Sequence, residues 1–562
     1  MKTSGFAYRG PYSDEDEETI IGRLECHNGL VAVDTETVNT NDHTCIGIGL
    51  YTGANEGFYF RVFPRPSVYL PQVLGLLGDS DVTKVYHNGM GFDLEVLDKL
   101  AREEGLTAPD DVNYEDSEIM AKVAGLPGGL QRIGEDWLGA TDLFSIQDLF
   151  EEYDTKSMLD VPWERVAEKC LNDCRTTWQL YHYMQEKMSE NQRECYGVDR
   201  RLIPVLRRIQ RKGIALRQGV LREYEARLER KALDLVRECD REAAFHPGSN
   251  LQVGYVLAAR GNILPFTPTK RQLKVDEEIL EELDDPIAAV VLDYRRAVKT
   301  LSTYVRPWLD KDRAYTHFRI DLATGRLASG RVNAWDVVNR NLQNVPPDIR
   351  EIFRPDTGVW TWADYSQIEL RVLAGMSHDP VMMDAYKTGK DLHSISATTM
   401  KVPRSNAKTF NFAMVYGGGD KIISKRAGIP LNEVRKMRAV WNELYSGAKS
   451  FMDKQYYEHG EWVESDFGRR MRLPEMVEGY DYNPKAFEAH VGKCAINYPI
   501  QGTAADIIKR GMLDVVKSGA DLRLQVHDEY LVDGNWEPMP ELTNVHPEIH
   551  TPMETKKGLV WS

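Results

Sequence analysis

The chain has 562 residues, of which 42% are hydrophobic and 28% are charged, and its formal net charge is −16. At roughly 150 residues per domain, this length predicts three to four domains and excludes a small binding module. Apolar runs without charges stay well short of the ~18 residues of a membrane helix, so we expect no membrane partner. Residues 1–19 turn acidic early and contain no apolar segment, so we expect no targeting signal and a cytoplasmic location.

The cysteines and the charge distribution bear on the redox state of the thiols and on nucleic-acid binding. Seven cysteines form no CxxC pair, which predicts reduced thiols and no structural zinc. Residues 200–242 contain 13 Lys/Arg against 7 Asp/Glu, with apolar residues at helical spacing. An acidic enzyme can still bind nucleic acid through such a basic stripe, although a solvated helical face with ordinary ion pairs explains the segment equally well.

In chain order, the pattern changes twice. Residues 1 to about 190 alternate between strands such as LVAVDTETV and helices such as FDLEVLDKLAREEG, which predicts an α/β layer fold. Residues from about 195 to 310 have long helical periodicity, interrupted by the loops FHPGSN and PFTPTKRQ. Beyond about 315, strands and helices alternate again, with a helix predicted at 403–416 and an apolar hairpin around His527.

The first chemical signal is a set of acids in the N-terminal region. Asp34 and Glu36 are two residues apart on one strand, so their side chains point to the same side. Buried carboxylates are costly unless they bind something, and a metal ion is the natural partner. The segment HNGMGFD then supplies Asp93, and KCLND supplies Asp173. Such a carboxylate set can hold two Mg²⁺ ions for phosphodiester hydrolysis.

This order of acids resembles the three motifs of DEDD-type 3′→5′ exonucleases, such as the proofreading domain of DNA polymerase I. The resemblance implies that Asp34, Glu36, Asp93 and Asp173 are metal ligands and catalytic residues. One position departs from the family, because Lys169 stands where a Tyr usually orients the attacking water. We therefore expect proofreading with Lys169 in an auxiliary role, with weak or inactive proofreading as the alternative.

The second signal lies in three segments of the C-terminal half. TWADYSQIELR places Asp364 at the end of a short apolar strand, and LQVHDEYLV places Asp528 between two strand-like runs. In RSNAKTFNFAMVYGG four residues lie four apart, so they share one side of a helix; they are Arg404, Lys408, Phe412 and Tyr416. Two cations can hold a triphosphate while the rings stack on base and sugar.

In this order and at these distances, the three segments resemble motifs A, B and C of family A DNA polymerases. TGRLAS, NLQNVP and INYPIQGTAADIIKR extend the resemblance. It implies an α/β multidomain fold, with a ribonuclease H-like exonuclease domain at 1–190 and a right-hand polymerase domain at 191–562. Within the latter we expect the thumb at about 200–315, the palm at about 316–375 and 485–562, and the fingers at about 376–484.

The resemblance also implies roles for individual residues. The polymerase metal ligands would be Asp364, Asp528 and Tyr365, with two Mg²⁺ ions per active site and Mn²⁺ as a substitute. Lys408 would act on the leaving pyrophosphate, and Glu529 would be auxiliary. The implied dNTP-binding residues are Arg404, Lys408, Phe412, Tyr416, Glu369, Tyr365 and His527, of which Glu369 is the steric gate against ribose. The implied DNA-binding residues are Arg326, Asn341, Gln343, Asn497, Gln501, Lys493, Arg371 and Lys270.

The expected function is therefore DNA synthesis on a primer-template with proofreading, most consistent with phage replication. The expected partners are primer-template DNA and dNTPs, with a helicase/primase and a single-strand binding protein as possible additions to a monomer. Only about 30 residues precede the first exonuclease strand, so we expect no 5′-nuclease domain. The alternatives are a single-subunit RNA polymerase, which Glu369 and the exonuclease motifs disfavour, and a catalytically silent DNA-binding scaffold.

Overall fold

The computed structural model describes residues 7–8, 21–22, 24, 29–53, 56–64, 66–109, 113–267, 271–320, 322–330, 341–476 and 483–561. The helices are α1 Leu70–Gly78, α2 Asp93–Glu103, α3 Ser117–Val123, α4 Leu130–Ile133, α5 Ile146–Glu152, α6 Trp163–Lys187, α7 Glu190–Lys212, α8 Gln218–Ala243, α9 Asn250–Ala259, α10 Glu277–Glu282, α11 Pro286–Thr300, α12 Ile368–Ser377, α13 Pro380–Lys387, α14 Leu392–Met400, α15 Arg404–Val415, α16 Asp420–Ala427, α17 Leu431–Leu444, α18 Ser446–Tyr457 and α19 Pro484–Lys517. Within these described ranges, no helix has the length and apolar character needed to cross a membrane.

The strands form several separate sheets. They are β1 Ala7–Tyr8, β2 Leu30–Thr37, β3 Cys45–Gly53, β4 Glu56–Arg61, β5 Thr83–Tyr86, β6 Tyr114–Asp116, β7 Ile214–Leu216, β8 Arg313–Ala314, β9 His317–Arg319, β10 Ala328–Gly330, β11 Phe353–Arg354, β12 Trp360–Tyr365, β13 Trp462–Glu464, β14 Arg470–Arg472, β15 Asp521–Val526, β16 Glu529–Asp533 and β17 Met553–Gly558. The strand predicted at LVAVDTETV and the helix predicted at FDLEVLDKLAREEG are present as β2 and α2, each shorter than its sequence pattern.

A six-stranded mixed sheet organises the N-terminal region, with the order β1-β4-β3-β2-β5-β6. Strand β2 is antiparallel to β3 and parallel to β5, so it lies inside the sheet. Alternation along β2 puts Ala32 on the same face as its two acids, and Ala32 packs against Cys174 of α6. Helix α6 approaches closely because Gly49 opposite Asp34 has no side chain; a Cβ there would lie 2.6 Å from Cys170 Sγ.

Helix α7 ties this region to the rest of the chain, and it uses part of the predicted basic stripe to do so. Arg207 and Arg211 both donate to the carboxylate of Asp98 on α2, and Arg200 pairs with Glu115 on β6. These three cations are therefore engaged within the protein. In this structure they neutralise acids of α2 and β6, and DNA binding by the basic segment from Arg200 onward stays a prediction.

The predicted helical element is present as α8 to α11. It has a core of its own, in which Cys239, Phe245, Val253, Leu257 and Val291 are buried together. A separate core explains the long helical periodicity of this segment, since its apolar stripes face each other rather than a sheet.

The C-terminal region is built on a four-stranded antiparallel sheet with the order β15-β16-β12-β17. The hairpin predicted around His527 is present, with β15 and β16 joined at His527 and Asp528. His527 has a φ of 54°, as tight hairpin turns require. Strand β12 lies between β16 and β17, and Asp364 is directly opposite Glu529 on one side and Glu554 on the other.

Candidate active site

A cavity of about 660 Å³ opens above the C-terminal sheet, and we call it the main cavity. Its floor is the end of β12 and the β15–β16 turn, and its walls are helices α12, α14, α15 and α19. Asp364 and Asp528 both line it, although 164 positions separate them in the chain, because β12 and β16 are hydrogen-bonded neighbours. The backbone N–H of Tyr365 donates to the carbonyl of Asp528 at 3.0 Å, which fixes the two strand ends together.

The two carboxyl groups are within hydrogen-bonding reach of each other. Burial, followed by the charge of Asp528 and that hydrogen bond, raises the pKa of Asp364 to about 8. Burial also raises the pKa of Asp528. Two carboxyls held this close repel each other when ionised, so a divalent cation is the ligand that this pair fits.

Helix α15 supplies the opposite wall, and its predicted four-residue stripe is confirmed. Arg404, Lys408, Phe412 and Tyr416 all line the main cavity, with Tyr416 at the end of the helix. Arg404 is held by a bidentate pair with Asp391, at 2.7 and 3.1 Å. The helix begins directly after Pro403, which favours a sharp start and places both cations in its first two turns.

Tyr416 and Glu369 meet across the cavity. The Tyr416 hydroxyl donates a hydrogen bond to Glu369 Oε2. Burial raises the pKa of Glu369. Because α12 starts just after β12, it carries Glu369 into the wall beside Asp364.

Sequence reasoning missed His393, which lies in the first turn of α14 and lines the main cavity. Its ring lies 5.6 Å from Phe412, and its Nδ1 contacts the Asn411 amide at 3.1 Å. Its buried Nε2 has no hydrogen-bond partner in the part of the chain that the structure describes. Burial lowers the pKa of His393 to about 4. A lone His in DLHS gives no periodic signal, and only its spacing before the Arg/Lys helix could have suggested it. Gln525 and Glu554 also line the cavity and were likewise missed.

The predicted DNA-binding residues divide into two groups. Arg326 and Gln501 line the main cavity, as does His527. The others that the structure describes do not line it: Asn341, Gln343, Asn497, Lys493 and Arg371. Lys270 lies outside the described residues.

Three of that second group have hydrogen-bond partners inside the protein, and one of them is Asn341, whose Oδ1 accepts a hydrogen bond from the Ser329 hydroxyl at 2.7 Å. Gln343 is buried and hydrogen-bonds Ser329 and Gln525, so it supports the cavity wall from behind. Arg371 donates to the carbonyls of Ser366 and His550. By contrast, Asn497 Nδ2 is buried, and none of the residues that the structure describes is its hydrogen-bond partner.

The remaining predicted residues of this site are Tyr365 and Glu529. The Tyr365 side chain is fully buried with its hydroxyl 3.4 Å from that of Tyr530, so only its backbone can reach the cavity. Glu529 does not line the main cavity, and its carboxylate accepts a hydrogen bond from Trp561 Nε1 at 2.7 Å. Its charge still contributes to the raised pKa of Asp364.

The four N-terminal acids form a second cluster, the N-terminal acid cluster, which consists of Asp34, Glu36, Asp93 and Asp173. Asp34, Glu36 and Asp173 line a second cavity of about 460 Å³ together with Lys169. Asp93 does not line it, because its Oδ1 accepts hydrogen bonds from the backbone N–H and the hydroxyl of Thr35, at 2.9 and 2.7 Å.

Burial dominates the electrostatics of this cluster. It raises the pKa values of Asp34 and Glu36, and that of Asp93 to about 7. Burial alone would lower the pKa of Lys169, but the carboxylates of Asp173, Glu36 and Asp34 hold it well above its ordinary value. Asp34 Oδ2 is buried and has no hydrogen-bond partner among the described residues, and ligand atoms of Asp34, Glu36 and Cys170 lie within 4.8 Å of one another. The carboxylate oxygens of Asp34 and Glu36 fit a divalent ion.

Comparison with known proteins finds a matching family and similar relatives. A model of the family "DNA polymerase family A" matches residues 218–559. DNA polymerase I of Lactococcus lactis subsp. cremoris is 33% identical over 409 residues, covering 66% of this chain and 45% of the relative. DNA polymerase I of Streptococcus pneumoniae is 34% identical over 410 residues, covering 66% and 45%. The chain thus spans about half the length of the curated relatives it matches.

The fold likeness extends over almost the whole chain. The solved structure of the POL domain of Pol1 from M. smegmatis, in complex with DNA primer-template and dNTP, superposes with a TM-score of 0.75 at 20% identity. The match covers 98% of this chain and 99% of that chain. The expected α/β multidomain polymerase fold is confirmed, and the chain belongs to DNA polymerase family A.

Proposed function

We propose that this chain adds dNTPs to a DNA primer 3′-OH under the direction of a template strand. The observation that carries the proposal is the convergence of two kinds of group on one cavity. The acids Asp364 and Asp528 face the cations Arg404 and Lys408 across it. Acids that bind divalent ions opposite cations that bind phosphates are the elements that phosphoryl transfer from a triphosphate requires.

The catalytic work of the protein is positioning and charge stabilisation. Asp364, Asp528 and the Tyr365 carbonyl would hold Mg²⁺ or Mn²⁺, which when bound lowers the pKa of the primer 3′-OH and neutralises the departing pyrophosphate. Lys408 offers an ammonium to the leaving pyrophosphate. Arg404 grips the β- and γ-phosphates after exchanging its pair with Asp391 for them.

His393 extends this phosphate site. His393 lines the same cavity, its buried Nε2 has no hydrogen-bond partner among the described residues, and the neutral ring favoured by its lowered pKa can donate one N–H to a phosphate oxygen. Asn411, which contacts the other ring nitrogen, orients it. We assign His393 to the dNTP-binding residues.

The base and sugar of the dNTP would lie against the aromatic half of the α15 stripe. Phe412 and Tyr416 offer stacking surfaces, and Glu369 fills the space that a ribose 2′-OH needs. Arg326, Gln501 and His527 would contact the minor groove or the primer end, where donors check pair shape without reading sequence.

Single-nucleotide incorporation tests the proposal. A 5′-labelled primer on templates that differ only in the first unpaired base should be extended by the complementary dNTP alone, and not by any rNTP. Extension with rNTPs would favour a single-subunit RNA polymerase. Extension that ignores the template base, or binding of primer-template without extension, would contradict the proposal, and the latter favours the scaffold alternative.

A second activity, 3′→5′ exonucleolytic proofreading, is supported by the unpartnered Asp34 Oδ2 inside the N-terminal acid cluster. The test withholds nucleotides and follows shortening of a primer with a mismatched 3′ end. Shortening that Asp34→Asn abolishes supports proofreading. Unchanged primer leaves the polymerase proposal intact and favours inactive proofreading.

A further inference from the structure

Within the N-terminal acid cluster, one position is already taken by a cation of the protein. Lys169 Nζ lies 2.8 Å from Glu36 Oε1 and 2.9 Å from Asp173 Oδ2. Lys169 and Asp173 are four residues apart on α6, so both side chains reach the same face of β2. The side chains of Lys169 and Glu36 are 13% and 5% exposed, so water screens this contact little.

The ammonium bridges oxygens that a divalent ion would need. Mg²⁺ binds carboxylate oxygens at about 2.0–2.1 Å in near-octahedral geometry. An ion between Glu36 Oε1 and Asp173 Oδ2 would therefore fall on the space that the Lys169 Nζ fills. The two cations exclude each other from this position.

The Asp34 carboxylate still offers an available oxygen. Its Oδ2 has no hydrogen-bond partner within the described ranges, and a ligand oxygen of Asp34 lies within 4.8 Å of ligand atoms of Glu36 and Cys170. The Asp93 carboxylate is turned toward Thr35, which donates twice to its Oδ1. This arrangement leaves room for one ion beside Asp34. In a two-metal site, the second ion would lie about 3.5–4 Å from the first.

We propose that Lys169 permanently replaces one of the two divalent ions of this carboxylate site, which therefore binds a single ion. The proposal rests on the proposed 3′→5′ exonuclease function of the same site. The fixed ammonium keeps Glu36 and Asp173 in place without metal, and hydrolysis depends on one bound ion rather than on two.

Manganese stoichiometry tests this directly. The full chain carrying Asp364→Asn and Asp528→Asn, which removes the main-cavity ligands, is titrated with Mn²⁺ and followed by electron paramagnetic resonance. We expect one tightly bound Mn²⁺ per chain with no spin-coupled signal. Adding Lys169→Met should give two ions with the coupled spectrum of a close pair, whereas Lys169→Arg should keep one.

Two control variants separate the effect of Lys169 on the number of bound ions from a general effect of removing a charge. Lys187→Met makes the same change at the exposed end of α6 and should keep one ion. Asp34→Asn should remove the single ion. Circular dichroism of each variant confirms that the chain is folded before ions are counted.

The outcomes distinguish the two proposals. Two coupled ions in the background chain, with primer shortening in the parent protein, would overturn the role of Lys169 and leave proofreading standing. A count of one both with and without Lys169→Met would also overturn it. No bound Mn²⁺ in any variant and no shortening would overturn both proposals.

Discussion

Tyr416 donates a hydrogen bond to Glu369 across the main cavity and so fixes the carboxylate against the wall. Glu369 is partly buried in this position, and this partial burial raises its pKa. If this carboxylate occupies the space of a ribose 2′-OH, Glu369→Ala should open it. We expect the preference for dNTP over rNTP, measured as the ratio of kcat/KM values, to fall about 10- to 200-fold.

The matched control for that change is Tyr416→Phe. It removes the hydroxyl and leaves the volume of Glu369 in place, so most of the sugar preference should remain. A loss as large as that of Glu369→Ala would show that the hydrogen bond, not the carboxylate volume, excludes ribose.

Lys408 lies in the middle of the α15 stripe and lines the main cavity together with Asp364 and Asp528. In the proposed reaction its ammonium stabilises charge that develops on the pyrophosphate, so Lys408→Ala should lower kcat by about 10²–10³. Pre-steady-state incorporation measures the effect. Lys401→Ala, at an exposed position just after α14, should leave kcat unchanged; an equal loss in both variants would assign the effect to net charge.

The paired acids of the main cavity predict a pH-dependent stability. Asp364 has its pKa raised to about 8 from an ordinary value of 3.8, so the native chain holds a proton that the unfolded chain has lost. Stability therefore falls as the pH rises through this window. Without divalent ions, Asp364→Asn should gain about 2–4 °C in Tm over the parent protein at pH 8 and less at pH 5.

Asp384→Asn, at an exposed position, is the control and should show no such trend. Added Mg²⁺ should stabilise the parent protein more than Asp364→Asn, because it binds the native pair. A Tm difference that stays constant between pH 5 and pH 8 would contradict the account of this pair.

Buried ion pairs join α7, the β13–β14 turn and α19, so a substitution that breaks them should strongly lower the stability of the chain. Arg469 pairs with Asp199 at 2.8 Å and with Asp506, and all three side chains are almost fully buried. Arg469→Met leaves two buried carboxylates with less compensation, so we expect a loss of about 3–5 kcal/mol. The urea midpoint measures it.

The neighbouring Arg470 offers a matched control. It pairs with Glu464 at the surface, where such pairs contribute about 0–1 kcal/mol. Arg470→Met should therefore shift the urea midpoint far less than Arg469→Met. Equal shifts would show that the buried network is not what joins these elements.

The sequence predicted the active-site stripe well because helical spacing is local. Arg404, Lys408, Phe412 and Tyr416 lie at fixed spacing, so any helix there places them on one face. The strand ends that carry Asp364 and Asp528 were also local patterns. Their adjacency came from the family resemblance, since pairing of β12 with β16 is not readable from alternation alone.

What the sequence could not predict are contacts between distant elements. Arg207 and Arg211 belong to the basic stripe that the sequence shows, but the sequence does not show that the fold places Asp98 beside them. Gln343 looked like a DNA contact but is buried against Gln525. Polar side chains give no sign in the sequence of whether a partner in the protein or a ligand will satisfy them. The expected domain boundaries stay predictions.

One gel tests the central claim, that each of the two acid clusters performs its own reaction. A 5′-labelled primer on a longer template is incubated with Mg²⁺, with and without dNTPs, using the parent chain, Asp528→Asn and Asp34→Asn. We predict that Asp528→Asn abolishes extension and keeps shortening, while Asp34→Asn abolishes shortening and keeps extension. Full extension by Asp528→Asn would contradict the account, because synthesis would then not depend on the main cavity.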